Sequence, residues 1–290
     1  MTETGPSFFS DALRLGKARI SAPVALTGLL GYVLYRPAMD PDLALTVAGV
    51  FLLAMGSGAI NQIQERTTDA RMPRTASRPL PSGRMSLSQA RILALCFSLS
   101  GSALLAFTSS LVPVLIGIFT LVWYNLVYTP LKRVTAFAVL PGAFIGALPP
   151  LIGWTAAGGA PFDLGILPVA FLLFVGQMPH YWLLLVRYGQ EFHEAGLPVI
   201  TSLLDPQQIR NLSVTWVAAT GSVVLMFPAT PLIRHLGTSL VLVGLAVLFL
   251  ISMLLLLFRG NLLDRWKTAF LGVNVFYLCI ILTLMADRLV

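Results

Sequence analysis

Apolar runs close to the length of a bilayer crossing recur nine times along this chain, at about residues 18–35, 42–60, 90–109, 111–128, 136–156, 164–187, 211–229, 236–258 and 268–287. A helix rises about 1.5 Å per residue, so ~20 apolar residues cover a hydrocarbon core of ~30 Å. Backbone inside lipid must satisfy its own hydrogen bonds, and a helix does so within one segment. Charged residues are 11% of the 290, far below the roughly 25% of a soluble domain. The expectation is an all-α integral membrane protein of about nine transmembrane helices.

The formal charge of +7 could suggest a nucleic-acid partner, but its distribution does not form a basic tail. With nine spans, sixteen of the nineteen Lys and Arg residues fall on the N-terminal side, and only Arg36, Arg234 and Arg288 on the other. An even number of spans would destroy that segregation. By the positive-inside bias the N-terminus is cytoplasmic and no nucleic-acid partner is expected. Cys96 and Cys279 both sit in apolar runs, which leaves no disulfide framework, thiolate metal site or C-x-x-C-H haem attachment. The opening MTETGPSFFSDALRLGKAR lacks the basic-then-apolar order of a secretory signal. It is expected to stay on the chain as a short cytoplasmic helix lying on the membrane.

The longest polar interruption, 61–91, begins directly after the second run. There Asn61, Glu65 and Asp69 recur every four residues, so a continuing helix stacks three oxygen donors on one face. Such oxygens suit hard cations, and Mg²⁺ is held by one or two carboxylates together with substrate phosphates. Arg66, Arg71, Arg74, Arg78 and Arg84 follow, with planar forks matched to phosphate oxygens. A solvated loop whose arginines enforce topology explains any one arginine equally well. It does not explain acids beside hydrocarbon.

A second interruption follows the sixth run, in GQMPHYWLLLVRYGQEFHEAGLPV. Arg187 and Glu191 lie one turn apart with Glu194 close behind, which suits a second metal and diphosphate face or a plain intrahelical ion pair worth about 0.3 to 0.5 kcal/mol. His180 follows Pro179 inside an apolar run, where an imidazole needs a partner helix or a polar ligand. His193 and His235 read as solvated. Tyr124 and Tyr128 share a helix face beside Lys132 and Arg133, as interfacial anchors or as part of a pocket. Gly142 and Gly146 serve close helix packing.

The run N-x-x-x-E-x-x-x-D-x-x-M-x-R-T-x-x-R-P-L-P-S-G-R from Asn61 to Arg84 closely resembles the first aspartate-rich motif of the UbiA-type intramembrane prenyltransferases, in the form seen in haem O synthases. GKARISAPVALTGLLGY, YTPLKRVTAFAVLPGAFIGALPPLIGW and QMPHYWLLLVRYGQEFHEAGLPV resemble the same branch, and DRWKTAFLGVNVFYLCIIL does so more weakly. The resemblance implies a single prenyltransferase domain over 1–290: nine helices around a central cavity, an N-terminal segment 1–17, and polar motif loops at 61–91 and 187–210. It implies farnesyl diphosphate and haem B as substrates, Mg²⁺ as cofactor, and an allylic carbocation captured by a haem vinyl group. Carried over residue by residue, it assigns Asn61, Glu65, Asp69 and Glu191 to magnesium. Arg19, Arg74, Arg78, Lys132 and Arg187 go to diphosphate, and His180, Tyr124 and Tyr128 to the acceptor pocket. A bacterial inner membrane and a downstream haem A synthase or terminal-oxidase assembly pathway are implied with it.

Three acidic positions depart from the pattern: Glu65 and Glu191 stand for aspartates, and Thr67 for another acid. The stretch after Gly-x-Pro is also altered, to Val199, Ile200, Thr201 and Ser202. Glutamate still ligates magnesium, but its extra methylene moves the carboxylate by about an ångström, a displacement that can cost about 10²-fold in rate. Two other readings therefore stay open: transfer to a quinone precursor or other aromatic acceptor, and a non-catalytic haem or lipid carrier. Product analysis separates the first. The second lacks the internal repeat common in transporters.

Overall fold

The computed structural model describes residues 7–259 and 262–289, so residues 1–6 of the expected N-terminal segment lie outside it. A short helix, α1 (Phe8–Leu15), comes first, with Ser7 as its N-cap. Then follow α2 (Ala18–Tyr35), α3 (Pro41–Asp69), the one-turn α4 (Pro73–Ala76) and α5 (Leu87–Ala106). The next span is composite: α6 (Val112–Val122), a π-helical turn Trp123–Tyr128, and α7 (Thr129–Leu131). It is followed by α8 (Val139–Ala156), α9 (Leu167–Glu194), α10 (Pro206–Met226), α11 (Leu236–Phe258) and α12 (Leu262–Leu289). Among the described residues, nine helices are long and apolar enough to cross a membrane, at the nine places the apolar runs mark. Helix starts are set chemically: Asp40 accepts from the Leu43 amide at 3.0 Å with Pro41 at the first helical position. Ser86 with Gln89 and Asp205 with Gln208 form capping boxes.

Length positions the chemistry. The 29 residues of α3 extend about 44 Å, well beyond a ~30 Å core. Its last turns, Asn61 to Asp69, therefore emerge as helix where the polar pattern left room for a loop. The 28-residue α9 likewise carries Glu191 and Glu194 past the apolar zone, while His180 stays within it. Each span packs on the next, α12 returns to α2, and α2 and α8 as well as α9 and α12 meet directly. An apolar cavity of about 740 Å³ lies among α6, α8 and α9, lined by Leu115, Phe119, Phe144, Phe162, Phe171 and Phe174 among others.

Association inside a bilayer gains nothing from expelling water, so close backbone approach does much of the work. A methyl group on Gly153 of α8 would strike the Gly28 carbonyl of α2, and one on Gly31 would strike the Pro150 carbonyl. Gly49 and Gly56 of α3 fit Leu105, Gly101 and Ser98 of α5 in the same manner. On the side of the membrane opposite the polar motifs the sparse charge is locally engaged: Arg36 pairs with Asp40 at 3.0 Å and Arg288 donates to the Leu232 carbonyl at 3.0 Å. The Tyr32 hydroxyl donates to Asp40 at 2.6 Å, the first of the interactions that hold this carboxyl below its ordinary range.

Gly153→Leu is expected to separate α2 from α8, where the neighbour is rigid backbone, and to lower the detergent melting temperature by several degrees, in line with an overpacking cost of about 1–3 kcal/mol. Gly237→Ala, at a position with open space around it, should melt like the parent protein.

Candidate active site

The protruding end of α3 turns its acidic face inward: Asn61, Glu65 and Asp69 are 0%, 6% and 1% exposed. Two carboxylates and an amide at such depth require partners, and each has one from a different part of the chain. Lys17 donates to Asn61 Oδ1 at 2.6 Å, Lys132 pairs with Glu65 at 2.5 Å, and Arg78 pairs with Asp69 at 2.6 Å. Four segments thus converge: the α1–α2 turn, α3, the loop after α4, and the end of α7.

Lys17 was counted in the sequence only as a topology charge. Its φ of 52° makes it the one non-glycine residue with positive φ among the described residues, a conformation that costs about 1–2 kcal/mol. The turn is pressed onto α3, where the Gly16 carbonyl lies over Gly58. Gln62 secures it by donating to the carbonyls of Arg14 and Leu15 at 2.7 and 2.8 Å. Burial of its ammonium group, with Arg78 and Lys132 nearby, pulls the Lys17 pKa down to about 7 against the opposing pull of Glu65 and Asp69. Arg19, the expected diphosphate ligand, is exposed and makes no hydrogen bond or ion pair among the described residues. Arg84 turns away from the acids and clamps α1 through Asp11 at 3.1 Å, so α1 is tied to the motif loop while Phe8 and Phe9 remain exposed.

The π-helical turn is the second feature that residue spacing did not reveal. In the widened turn the Tyr124 carbonyl accepts from the Thr129 backbone amide and also from the Thr129 hydroxyl at 2.9 Å; Asn61 Nδ2 donates to that same hydroxyl at 3.0 Å. Asn125 fixes the turn by donating to Ser57 Oγ at 3.0 Å, and Gln64 donates to the Asn125 carbonyl at 3.0 Å. A chain of bonds therefore runs from Lys17 through Asn61 and Thr129 to the backbone between the two tyrosines. The Tyr124 and Tyr128 rings lie 5.4 Å apart, with the Lys132 ammonium 5.5 Å from the Tyr128 ring. Such turns are frequent at functional sites, and no residue preference in WYNLVY announces one.

The second motif approaches through Arg74, whose guanidinium lies 5.0 Å from the Tyr188 ring and 5.8 Å from that of Phe192, on either side of Glu191. Arg187 lies 5.3 Å from the same Tyr188 ring and forms no ion pair with Glu191 among the described residues. Glu191 Oε2 is buried without a hydrogen-bond partner. His180, deeper on α9, packs its ring 4.5 Å from Phe270 of α12. Among the described residues no three His, Cys, Asp or Glu side chains gather into a metal cluster. The donor set of Asn61, Glu65 and Asp69 nevertheless suits Mg²⁺, being hard oxygens in register on one buried helix face.

Residues 23–280 match the model of the UbiA prenyltransferase family. The chain belongs to this family. Among its relatives is a protoheme IX farnesyltransferase from Oleidesulfovibrio alaskensis, 37% identical over 96% of both chains. The UbiA fold is seen in the solved structure of a digeranylgeranylglyceryl phosphate synthase, with a TM-score of 0.77, 15% identity, and coverage of 97% of this chain and 98% of that one. A UbiA homologue from Archaeoglobus fulgidus bound to DMAPP and Mg²⁺ superposes with a TM-score of 0.69 at 15% identity, over 93% of this chain and 99% of that one. The chain is a multi-pass membrane prenyltransferase of UbiA type.

Thr129→Val keeps the shape of the side chain and removes the hydroxyl that joins Asn61 to Tyr124. Leaving the buried Asn61 side-chain amide without its acceptor costs about 1–3 kcal/mol, so a lower melting temperature and a reduced kcat are expected; Thr129→Ser should restore both.

Proposed function

We propose that this chain transfers the farnesyl group of farnesyl diphosphate to a vinyl group of protohaem IX, forming haem O, with Mg²⁺ as cofactor. The observation that carries the reading is the buried acid face of α3 ringed by Lys17, Arg78 and Lys132, in a chain related end to end to a protoheme IX farnesyltransferase. Asn61, Glu65, Asp69 and Glu191 would hold Mg²⁺. When bound, the ion supplies Lewis-acid neutralisation of the leaving diphosphate.

The chain's own cations do the rest of the electrostatic work. Lys17, Arg78 and Lys132, with Arg74 and Arg187 at the mouth, receive the diphosphate oxygens. As the bond from C1 of the farnesyl group to oxygen breaks, its electron pair leaves with diphosphate and negative charge grows there. Donors already fixed in place stabilise that charge more in the transition state than before it. Tyr124 and Tyr128 offer ring faces to the allylic cation. The terminal vinyl carbon then bonds to C1, and the cation left on the carbon beside the macrocycle takes up water and loses a proton, which completes a hydroxyethylfarnesyl side chain. Surrounding apolar helices keep water from the allylic cation until that bond has formed. In a bacterial inner membrane with the basic side cytoplasmic, the product would pass to a haem A synthase or to terminal-oxidase assembly.

Purified protein incubated with Mg²⁺, farnesyl diphosphate and haem B should yield hydroxyethylfarnesyl haem by mass spectrometry, and EDTA should abolish the product. Diphosphate release only with a different acceptor would discard the haem assignment. Asp69→Ala should abolish turnover in a protein that still folds. Lys17→Met should raise the KM for farnesyl diphosphate by about tenfold or more, the loss of one charge-assisted hydrogen bond, whereas Arg19→Gln should change it by less than twofold.

A further inference from the structure

Four aromatic side chains run in file along the seam between α9 and α12. His180 lies 4.5 Å from Phe270, Phe270 lies 6.3 Å from Trp266, and Trp266 lies 5.9 Å from Tyr188, all measured between ring centroids. Each of the four is only partly buried. His180 and Tyr188 are eight residues apart, so the file extends about 12 Å along α9. At its polar end three cations gather on the last two rings. Arg74 and Arg187 lie 5.0 and 5.3 Å from Tyr188, and the Lys267 ammonium lies 5.9 Å from Trp266. Among the described residues none of the three belongs to an ion pair.

Topology alone would scatter these cations through the headgroup zone; here they converge on one aromatic pair within cation–π range. The rings meet at 43°, 60° and 71°, so they form an apolar wall of ring edges and faces. With positive charge at one end, that wall complements a flat amphiphile: a broad apolar plane with carboxylates along one edge. Protohaem is such a molecule, with two propionates on one edge and vinyl groups away from them. A prenyl diphosphate has no aromatic plane, and a single-ring acceptor would cover only a fraction of the file.

We propose that the α9–α12 seam is the acceptor subsite, where Trp266, Phe270 and His180 face the macrocycle and Lys267 holds a propionate. This rests on the haem reading above. Lys267 takes this role because it comes from α12. Arg74 and Arg187 flank Tyr188 beside Glu191 and remain with the diphosphate. The arrangement keeps the carboxylates at the polar mouth and turns the vinyl edge toward the apolar interior, so it fixes which edge of the acceptor is presented. Removing the charge that meets the propionate is expected to weaken haem affinity by up to about tenfold.

The test measures haem binding by the Soret band of the full-length protein in detergent without farnesyl diphosphate, using haem B and its dimethyl ester. Lys267→Gln should weaken haem B binding about tenfold and leave the ester unchanged, while Trp266→Leu and Phe270→Leu should weaken both. In turnover these variants should raise the KM for haem and not that for farnesyl diphosphate. Equal binding of haem B by wild type and Lys267→Gln, or a rise in the farnesyl diphosphate KM instead, would overturn the subsite while wild-type haem farnesylation left the function standing. A wild-type protein that neither binds nor farnesylates haem would overturn both.

Discussion

Charge placed beside hydrocarbon is stable only when an opposite charge or a dense set of hydrogen bonds comes with it, and the polar end of this molecule is organised around that requirement. Asp69, Glu65 and Asn61 are almost wholly buried. Their partners Arg78, Lys132 and Lys17 arrive from segments separated by tens of residues along the chain. Satisfying the two acids and the Asn61 amide therefore brings the α1–α2 turn, the motif loop and the end of the fourth span together. The same pairs leave a cluster of positive charge in register with hard oxygen donors, the combination that a metal-diphosphate group requires. Stability of the polar end and readiness of the site rest on the same contacts.

Around this cluster the backbone departs from regular geometry where the side chains need it to. Lys17 adopts left-handed φ so that its ammonium reaches Asn61. The Trp123–Tyr128 turn widens into a π-helix, and the Thr129 hydroxyl ties its Tyr124 carbonyl to the Asn61 amide. Strained or irregular backbone persists only where its surroundings over-determine it. Both irregularities here are held by several buried hydrogen bonds. Deeper in the membrane the principle changes: Gly28, Gly31 and Gly153 let α2 and α8 approach until backbone meets backbone, with no polar side chain in the contact.

The overlong helices connect the two regimes. Because α3 and α9 exceed the hydrocarbon thickness, each carries an apolar lower part for packing and a polar upper part for chemistry on one rigid rod. Arg74, on the one-turn α4 that follows α3, lies over Tyr188 and Phe192 at the upper part of α9. From Tyr188 an aromatic path descends through Trp266 and Phe270 to His180. A lipid-soluble acceptor and a diphosphate with a polar head and an apolar tail have the same division between surface and interior.

Number and place of the spans could be read from the chain, because burial in lipid demands long uninterrupted apolar runs and each run is local in sequence; the polar extensions of α3 to Asp69 and of α9 to Glu194 lie beyond those runs. The register of Asn61, Glu65 and Asp69 was equally visible, since helical spacing is a local property. The positions of Lys and Arg along the chain set an expected orientation. Tertiary structure decided which cations serve those acids: it brought in Lys17 and left Arg19 exposed, and it sent Arg84 to Asp11 while Arg78 went to Asp69. It also decided that a π-helix separates Asn125 and the tyrosines from the regular α-helix of α6, and that Trp266 and Phe270 meet His180 and Tyr188. These are contacts between residues far apart in the chain, fixed by how helices pack and by which partner a buried charge finds, and no local spacing encodes them.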